Sequence, residues 1–140
     1  MQHVEVTHRY AAPPQVVWDV YTDYARWSEW AGTPGSKLVV EGSPDRNGVG
    51  AVRGFAGGMR EKVLEFEPPK RMTYTVVGGF FPVRDHLGEV IFADDGEGTR
   101  VVWRCRFEPK IPGTGALMQR FITFFFTRGL RGLEKRGFSR

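Results

Sequence analysis

Residues 99–113 read TRVVWRCRFEPKIPG, and residues 114–137 continue as TGALMQRFITFFFTRGLRGLEKRG. In the first stretch Val101, Trp103, Cys105 and Phe107 alternate with Arg100, Arg104 and Arg106. A period of two puts the apolar set on one side of a strand and the arginines on the other. Pro109 and Pro112-Gly113 end that strand. The second stretch changes period. Met118, Phe121, Ile122, Phe125 and Leu133 fall on one helical face, while Phe124 and Phe126 point elsewhere. A helix apolar on more than one side suits one gripped by a curved sheet. Thr114 stands at the N-cap position without the Glu or Gln three residues on that completes a capping box. Gly129 and Gly132 each cost about 1 kcal/mol relative to Ala in a helix interior, so they predict close packing on the sheet.

Upstream, the same alternation recurs between breaks. Residues 2–10 predict a strand, stopped by Ala11-Ala12-Pro13-Pro14. Val17, Val20, Tyr21 and Tyr24 then predict a helix from about 14 to 22, because proline is tolerated in a first helical turn. A second short helix covers 24–30, with Asp23 as its candidate N-cap. Further strands are expected at 36–41, 48–55, 59–67, 71–77, 84–93 and 99–108. Gly, Pro and the Asp94–Gly98 run separate them. No gap among them holds a crossover helix, so neighbours should pair antiparallel. The expected architecture is α+β. A seven-stranded curved antiparallel sheet wraps a long C-terminal helix, with two short helices after the first strand.

At 140 residues the chain fits one domain, 1–140, with a core of its own. Aromatic residues reach 14%, eleven of them Phe, and must line a core, a cavity or an interface. The net charge of +4 gathers in Arg120, Arg128, Arg131, Lys135, Arg136 and Arg140, with no basic run or RNA-binding aromatic motif, so no nucleic-acid partner is expected. A single cysteine, Cys105, rules out an internal disulfide and predicts a buried thiol in a reducing compartment. No leader is visible at Met1–Val6, and the apolar run 121–126 is too short to cross a bilayer. The expectation is a cytoplasmic protein without stable membrane insertion.

Several strings in this order resemble the START-like (SRPBCC, or helix-grip) superfamily, and within it the polyketide cyclase/dehydrase-type branch. They are residues 12–19 and 22–30, Gly48–Arg53, Glu61–Pro69, Tyr74, Gly88–Val90 and Gly98–Trp103. The resemblance covers essentially the whole chain and implies the helix-grip fold. It implies no single activity, since that superfamily includes lipid and sterol carriers, hormone receptors, allergens and polyketide aromatase/cyclases.

A bent sheet and one helix leave a gap near the short helices, and alternation assigns its lining. Inward residues are Val101, Trp103, Cys105 and Phe107; Val90 and Phe92, with Gly88, His86 and Arg84; Met72, Tyr74 and Val76; and Glu61 with Val63. Trp27, Trp30, Met118, Phe121 and Phe125 complete the candidate ligand-binding set with Tyr74, His86, Val90, Phe92 and Trp103. His86, Tyr74, Glu61 and Arg53 are the acid–base candidates: an imidazole that titrates near neutrality, a phenol, and a cross-strand ion pair. His8 reads as a core histidine, Trp18 as an anchor, and Phe126 as a core or homodimer contact. Three scattered histidines show no metal spacing, and no motif calls for a cofactor. The leading expectation is a binder of a hydrophobic or polyaromatic small molecule. The alternatives are a polyketide cyclase, aromatase or dehydratase, and an interaction module built on the Phe-rich basic helix.

Overall fold

In the computed structural model, which describes residues 1–32 and 36–138, the seven expected strands form one sheet. Arg140 therefore lies outside the described residues. The strands are β1 (Gln2–Tyr10), β2 (Lys37–Val40), β3 (Val52–Gly54), β4 (Arg60–Glu67), β5 (Arg71–Gly78), β6 (Val83–Asp94) and β7 (Thr99–Pro109). Their order is β1-β7-β6-β5-β4-β3-β2, antiparallel throughout. Helix α1 (Pro14–Tyr21) and a 3-10 turn (Tyr24–Glu29) follow β1, a short 3-10 turn (Ala56–Gly58) follows β3, and α2 (Gly115–Arg136) ends the fold.

Local chemistry explains the turns. In the β6–β7 loop the Asp94 carboxylate accepts from the Gly96 N–H, and that of Asp95 from the Gly98 N–H, both at 2.9 Å. These contacts hold a tight reversal between two long strands. On the sheet's outer face Arg71 bridges Glu67 and Glu89, and Arg104 reaches Glu89 as well. The alternating charges of the sequence become a lattice of surface pairs, half-buried at Arg71 and Glu89.

Bends in the sheet come from register shifts at Leu38/Val40, Arg60/Glu61, Val63/Glu65 and Arg84/Leu87. The last one overturns an expectation. Asp85 takes a positive φ of 52°, and the extra residue reverses the alternation before it, so Arg84 is exposed and Val83 buried instead. The strand expected from Gly48 begins only at Val52, because Gly48–Ala51 is a turn in which the Ala51 N–H donates to the Gly48 carbonyl. Neither expected cap forms. Asp23 makes no side-chain cap bond, and the Thr114 hydroxyl donates backward to Ile111 O at 2.6 Å.

The buried stripe of α2 is Met118, Ile122, Phe126, Leu130 and Leu133, with Gly115 and Gly129. Met118, Ile122 and Leu133 of the expected face are in it, but the stripe is turned toward Phe126 and Leu130 and away from Phe121 and Phe125. Phe126 belongs to it, stacked on Trp103 at 4.1 Å between ring centroids and 11° between planes, which removes it from any dimer contact. Phe121 is on the exposed side. Two of the glycines explain how closely the helix sits. A Cβ at Gly129 would meet the Trp103 ring at 3.4 Å, as expected of packing on the sheet. One at Gly132 would sit 2.0 Å from the Trp30 carbonyl oxygen, so that glycine admits the segment after the 3-10 turn, not the sheet. β1 grips α2 through the Tyr10 hydroxyl, which donates to Leu130 O at 2.7 Å, and through His8 against Glu134. His8 is therefore a half-buried seam residue and not part of the core.

Candidate functional site

The inner face of the sheet divides into a packed end and a hollow one. At the packed end Trp18 lies against Phe66 and Phe92, and Tyr21 meets Trp27, Trp30, Phe92 and Trp103 with centroids 5.2–5.6 Å apart. Interlocked edge-to-face rings fill space densely. Val90 is fully buried in the same core.

Beyond Trp27 and Trp103 the packing stops and a cavity of about 320 Å³ opens. Its floor is Glu61, Tyr74, His86 and Trp103 from the sheet. The β3–β4 segment contributes Phe55 and Met59, and the β5–β6 connection contributes Phe80 and Phe81. Phe121, Ile122, Phe125 and Phe126 of α2 form the roof, and Trp27 and Ala31 the inner wall. Of the residues expected to face a ligand, Trp27, Tyr74, His86, Trp103, Phe121 and Phe125 come together here. Trp30, Val90, Phe92 and Met118 do not border it. Trp30 and Phe92 belong to the aromatic cluster that fills the packed end, and Val90 and Met118 are buried in the core.

The floor is built around Tyr74. Gly88 lies directly under its ring: a Cβ there would stand 2.3–2.7 Å from ring atoms, so only glycine lets the phenol lie flat on β6. The Trp103 indole N–H donates to the Tyr74 hydroxyl oxygen at 2.7 Å. That bond uses an acceptor lone pair and leaves the phenol proton free to donate. Burial raises the Tyr74 pKa well above its ordinary value, so the group stays neutral.

His86 sits beside it, ring centroids 5.6 Å apart. Burial, aided by the Arg53 charge, lowers its pKa to about 4. Its Nδ1 is buried and makes no hydrogen bond among the described residues. The imidazole is thus neutral at physiological pH, suited to hydrogen bonding and poorly suited to acting as a general acid.

Glu61 reaches the floor from below, paired with Arg53. The Arg53 Nε donates to Glu61 Oε1 at 2.9 Å, and the guanidinium, 1% exposed, lies 4.4 Å from the Tyr74 ring, 4.6 Å from Trp27 and 4.8 Å from Tyr24. Three aromatic faces solvate the cation in place of water. Burial would lower the Arg53 pKa, yet Glu61 and the surrounding phenols raise it on balance, so it stays charged. For Glu61 burial pushes the carboxyl up more than Arg53 pulls it down. Arg53 does not itself border the cavity. It holds the rings that do, a role that strand alternation gives no hint of.

Burial also pushes the Cys105 thiol up to about 12, which leaves it inert as a nucleophile. No group of three or more His, Cys, Asp or Glu suited to a metal ion occurs among the described residues. The arrangement therefore offers apolar walls and a floor with two neutral hydrogen-bonding groups, Tyr74 and His86, beside the Glu61 carboxyl that Arg53 pairs, sized at the lower end of small-molecule sites.

The comparisons bear on the fold and the family. A START superfamily protein from Mycobacterium smegmatis superposes with a TM-score of 0.81 at 13% identity, covering 97% of each chain. A Thermobifida fusca protein reaches 0.81 at 24% identity, over 97% of this chain and 93% of its own. The di-domain ARO/CYC BexL from the BE-7585A biosynthetic pathway reaches 0.77 at 17%, over 97% of this chain and 46% of its own. At such identities the likeness shows the START-like, helix-grip fold. No curated protein matches the sequence. A family profile does, over residues 1–137, and by that match the chain belongs to the family described as polyketide cyclase / dehydrase and lipid transport.

Proposed function

We propose that this chain binds an uncharged hydrophobic or polyaromatic small molecule in the cavity between α2 and the sheet. The observation that carries the reading is the floor: the Tyr74 proton and the neutral His86 Nδ1 are buried at the base of a space walled by Phe and Trp side chains. Aromatic walls supply affinity at about 25 cal/mol per Å² of apolar surface removed from water, and the two polar groups orient one edge of the ligand. A net charge on the ligand is disfavoured, since Glu61, the one charged side chain among the described residues that lines the cavity, is already paired with Arg53. Family membership supports a hydrophobic ligand, and Cys105, a lone buried thiol, suits a reducing, cytoplasmic setting.

A second reading is catalytic. Glu61, whose carboxyl is raised by burial, stands at the same floor as Tyr74 and His86, so a polyketide-like substrate could be polarised by the phenol while it is held folded. Native mass spectrometry of the purified protein, followed by titration of the released compound, tests the first reading. Tyr74→Phe is expected to weaken binding about tenfold, one hydrogen bond's worth, while the fold is retained. No retained compound, and no binding by a panel of polyaromatic ketones, would sink the proposal. Conversion of the bound compound, abolished by Tyr74→Phe, would establish the catalytic reading.

A further inference from the structure

The mouth of the cavity carries a surface that ligand binding does not explain. Phe80, at the β5–β6 connection, is 84% exposed, and on α2 Leu117 and Phe124 are 68% and 60% exposed, with Phe121 at 47%. Phe80 and Phe121, exposed and bordering the cavity, stand at its entrance, and Leu117 and Phe124 extend the apolar surface beside it. Leu117, Phe121 and Phe124 recur at helical spacing, one turn apart on one side of α2.

The same side of the helix continues as Arg120, Arg128, Arg131 and Lys135, all exposed. The only carboxylate of α2, Glu134, is engaged by His8, and Glu29 already holds Arg136. The four cations therefore have no ion pair among the described residues. An exposed helical face that combines large apolar side chains with unpaired Arg and Lys matches the interfacial helices that lie on anionic bilayers.

We propose that this side of α2, together with Phe80, docks reversibly on an anionic phospholipid bilayer. Leu117, Phe121, Phe124 and Phe80 enter the boundary between headgroups and acyl chains. Arg120, Arg128, Arg131 and Lys135 meet the lipid phosphates. Charge complementarity decides the occupant. A second copy pairing through this face brings the same cations and no carboxylate, and a nucleic-acid backbone satisfies the arginines but leaves Leu117 and Phe124 in water. Docking in this pose turns the cavity entrance toward the membrane, so an apolar ligand passes between lipid and protein without crossing water. The surface stands apart from the pocket reading, because an empty cavity leaves it unchanged.

The test is vesicle flotation of the full chain. One set of vesicles is phosphatidylcholine alone, and the other is phosphatidylcholine mixed with phosphatidylglycerol. The mixed vesicles are expected to bind at least about tenfold more tightly, with the preference lost in high salt. The pairs Leu117→Ser with Phe124→Ser, and Arg120→Gln with Arg131→Gln, alter exposed residues outside the cavity lining. Each pair should lower vesicle binding by about tenfold without shifting the thermal midpoint. Equal binding to both vesicle types, no flotation with the mixed vesicles, variants that bind like the parent, or displacement from vesicles by duplex DNA would each overturn the proposal. Ligand retention measured on the same variants separates failure of the docking surface from failure of the pocket.

Discussion

The two ends of the bowl are made of the same residue types and behave as opposites. Around Tyr21 the rings of Trp18, Trp27, Trp30, Phe92 and Trp103 satisfy one another's surfaces and leave no room. Around Phe80, Phe81, Phe121 and Phe125 the rings face a hollow and, at the rim, solvent. Aromatic content alone does not mark a binding site. What separates the ends is supply from the opposite side. α1 and the 3-10 turn lay Trp18, Tyr21 and Trp27 over the packed end, whereas the hollow end has only α2 above it. The small aromatic-free segment Ala56–Gly58 at its border fills little.

The difference can be broken by substitution, starting where the effect should be greatest. Tyr21→Ala removes the ring that touches four others, and should cost about 3–5 kcal/mol in chemical denaturation, as for other large-to-small core changes. A cost under about 1 kcal/mol would mean that the packed end is as loose as the hollow one.

His86 lies on the floor of the hollow end, and its burial gives a pH signature. Its folded pKa of about 4 lies below the ordinary 6.5, so the unfolded chain binds more protons between those values. Stability is therefore full above about pH 6.5 and falls as pH drops toward about 4. The loss attributable to this group is on the order of 2–3 kcal/mol. Glu61 works in the opposite sense. Its carboxyl is raised in the folded state, so protonation on acidification relieves a buried charge. The measurement is the stability difference between the parent and His86→Gln at pH 7 and at pH 4.5. The parent should lose more on acidification, and parallel pH profiles would place His86 in water. Smallest of all, Phe80→Ser at the rim should change stability by no more than about 0.5 kcal/mol, as for surface changes generally, while weakening retention of the ligand. A large loss there would show that the rim is a core.

Much of this architecture was legible from alternation. Strict period two across Val101, Trp103, Cys105 and Phe107, and Gly or Pro at each break, leave few ways to pair seven strands. The corrections cluster where periodicity is blind. Asp85 at positive φ inserts one residue, and Arg84 and Val83 exchange faces, a change that no hydropathy pattern announces. In α2 the run Phe121–Phe126 supplies apolar residues to every side of the helix, so sequence alone does not say which phenylalanine meets Trp103. The cavity lining was half visible for a related reason. Alternation tells that Val90 and Phe92 point inward, but whether an inward side chain meets a ligand or another ring depends on the loops above it. Arg53 shows the converse. Its pairing with Glu61 follows from strand register, while the cage joins Tyr24 and Trp27 of the 3-10 turn to Tyr74 of β5.

The strand order also governs when the fold can be completed. β1 lies at one edge of the sheet and, among the described residues, pairs only with β7, with Val4 opposite Cys105, and its grip on α2 through Tyr10 waits for Leu130. Contacts between such distant parts of a chain form slowly. During synthesis β1 must wait for its pairing until β7 has been made. Its alternating Glu, His and Arg exterior is then a safeguard against sticking to its neighbours during the wait.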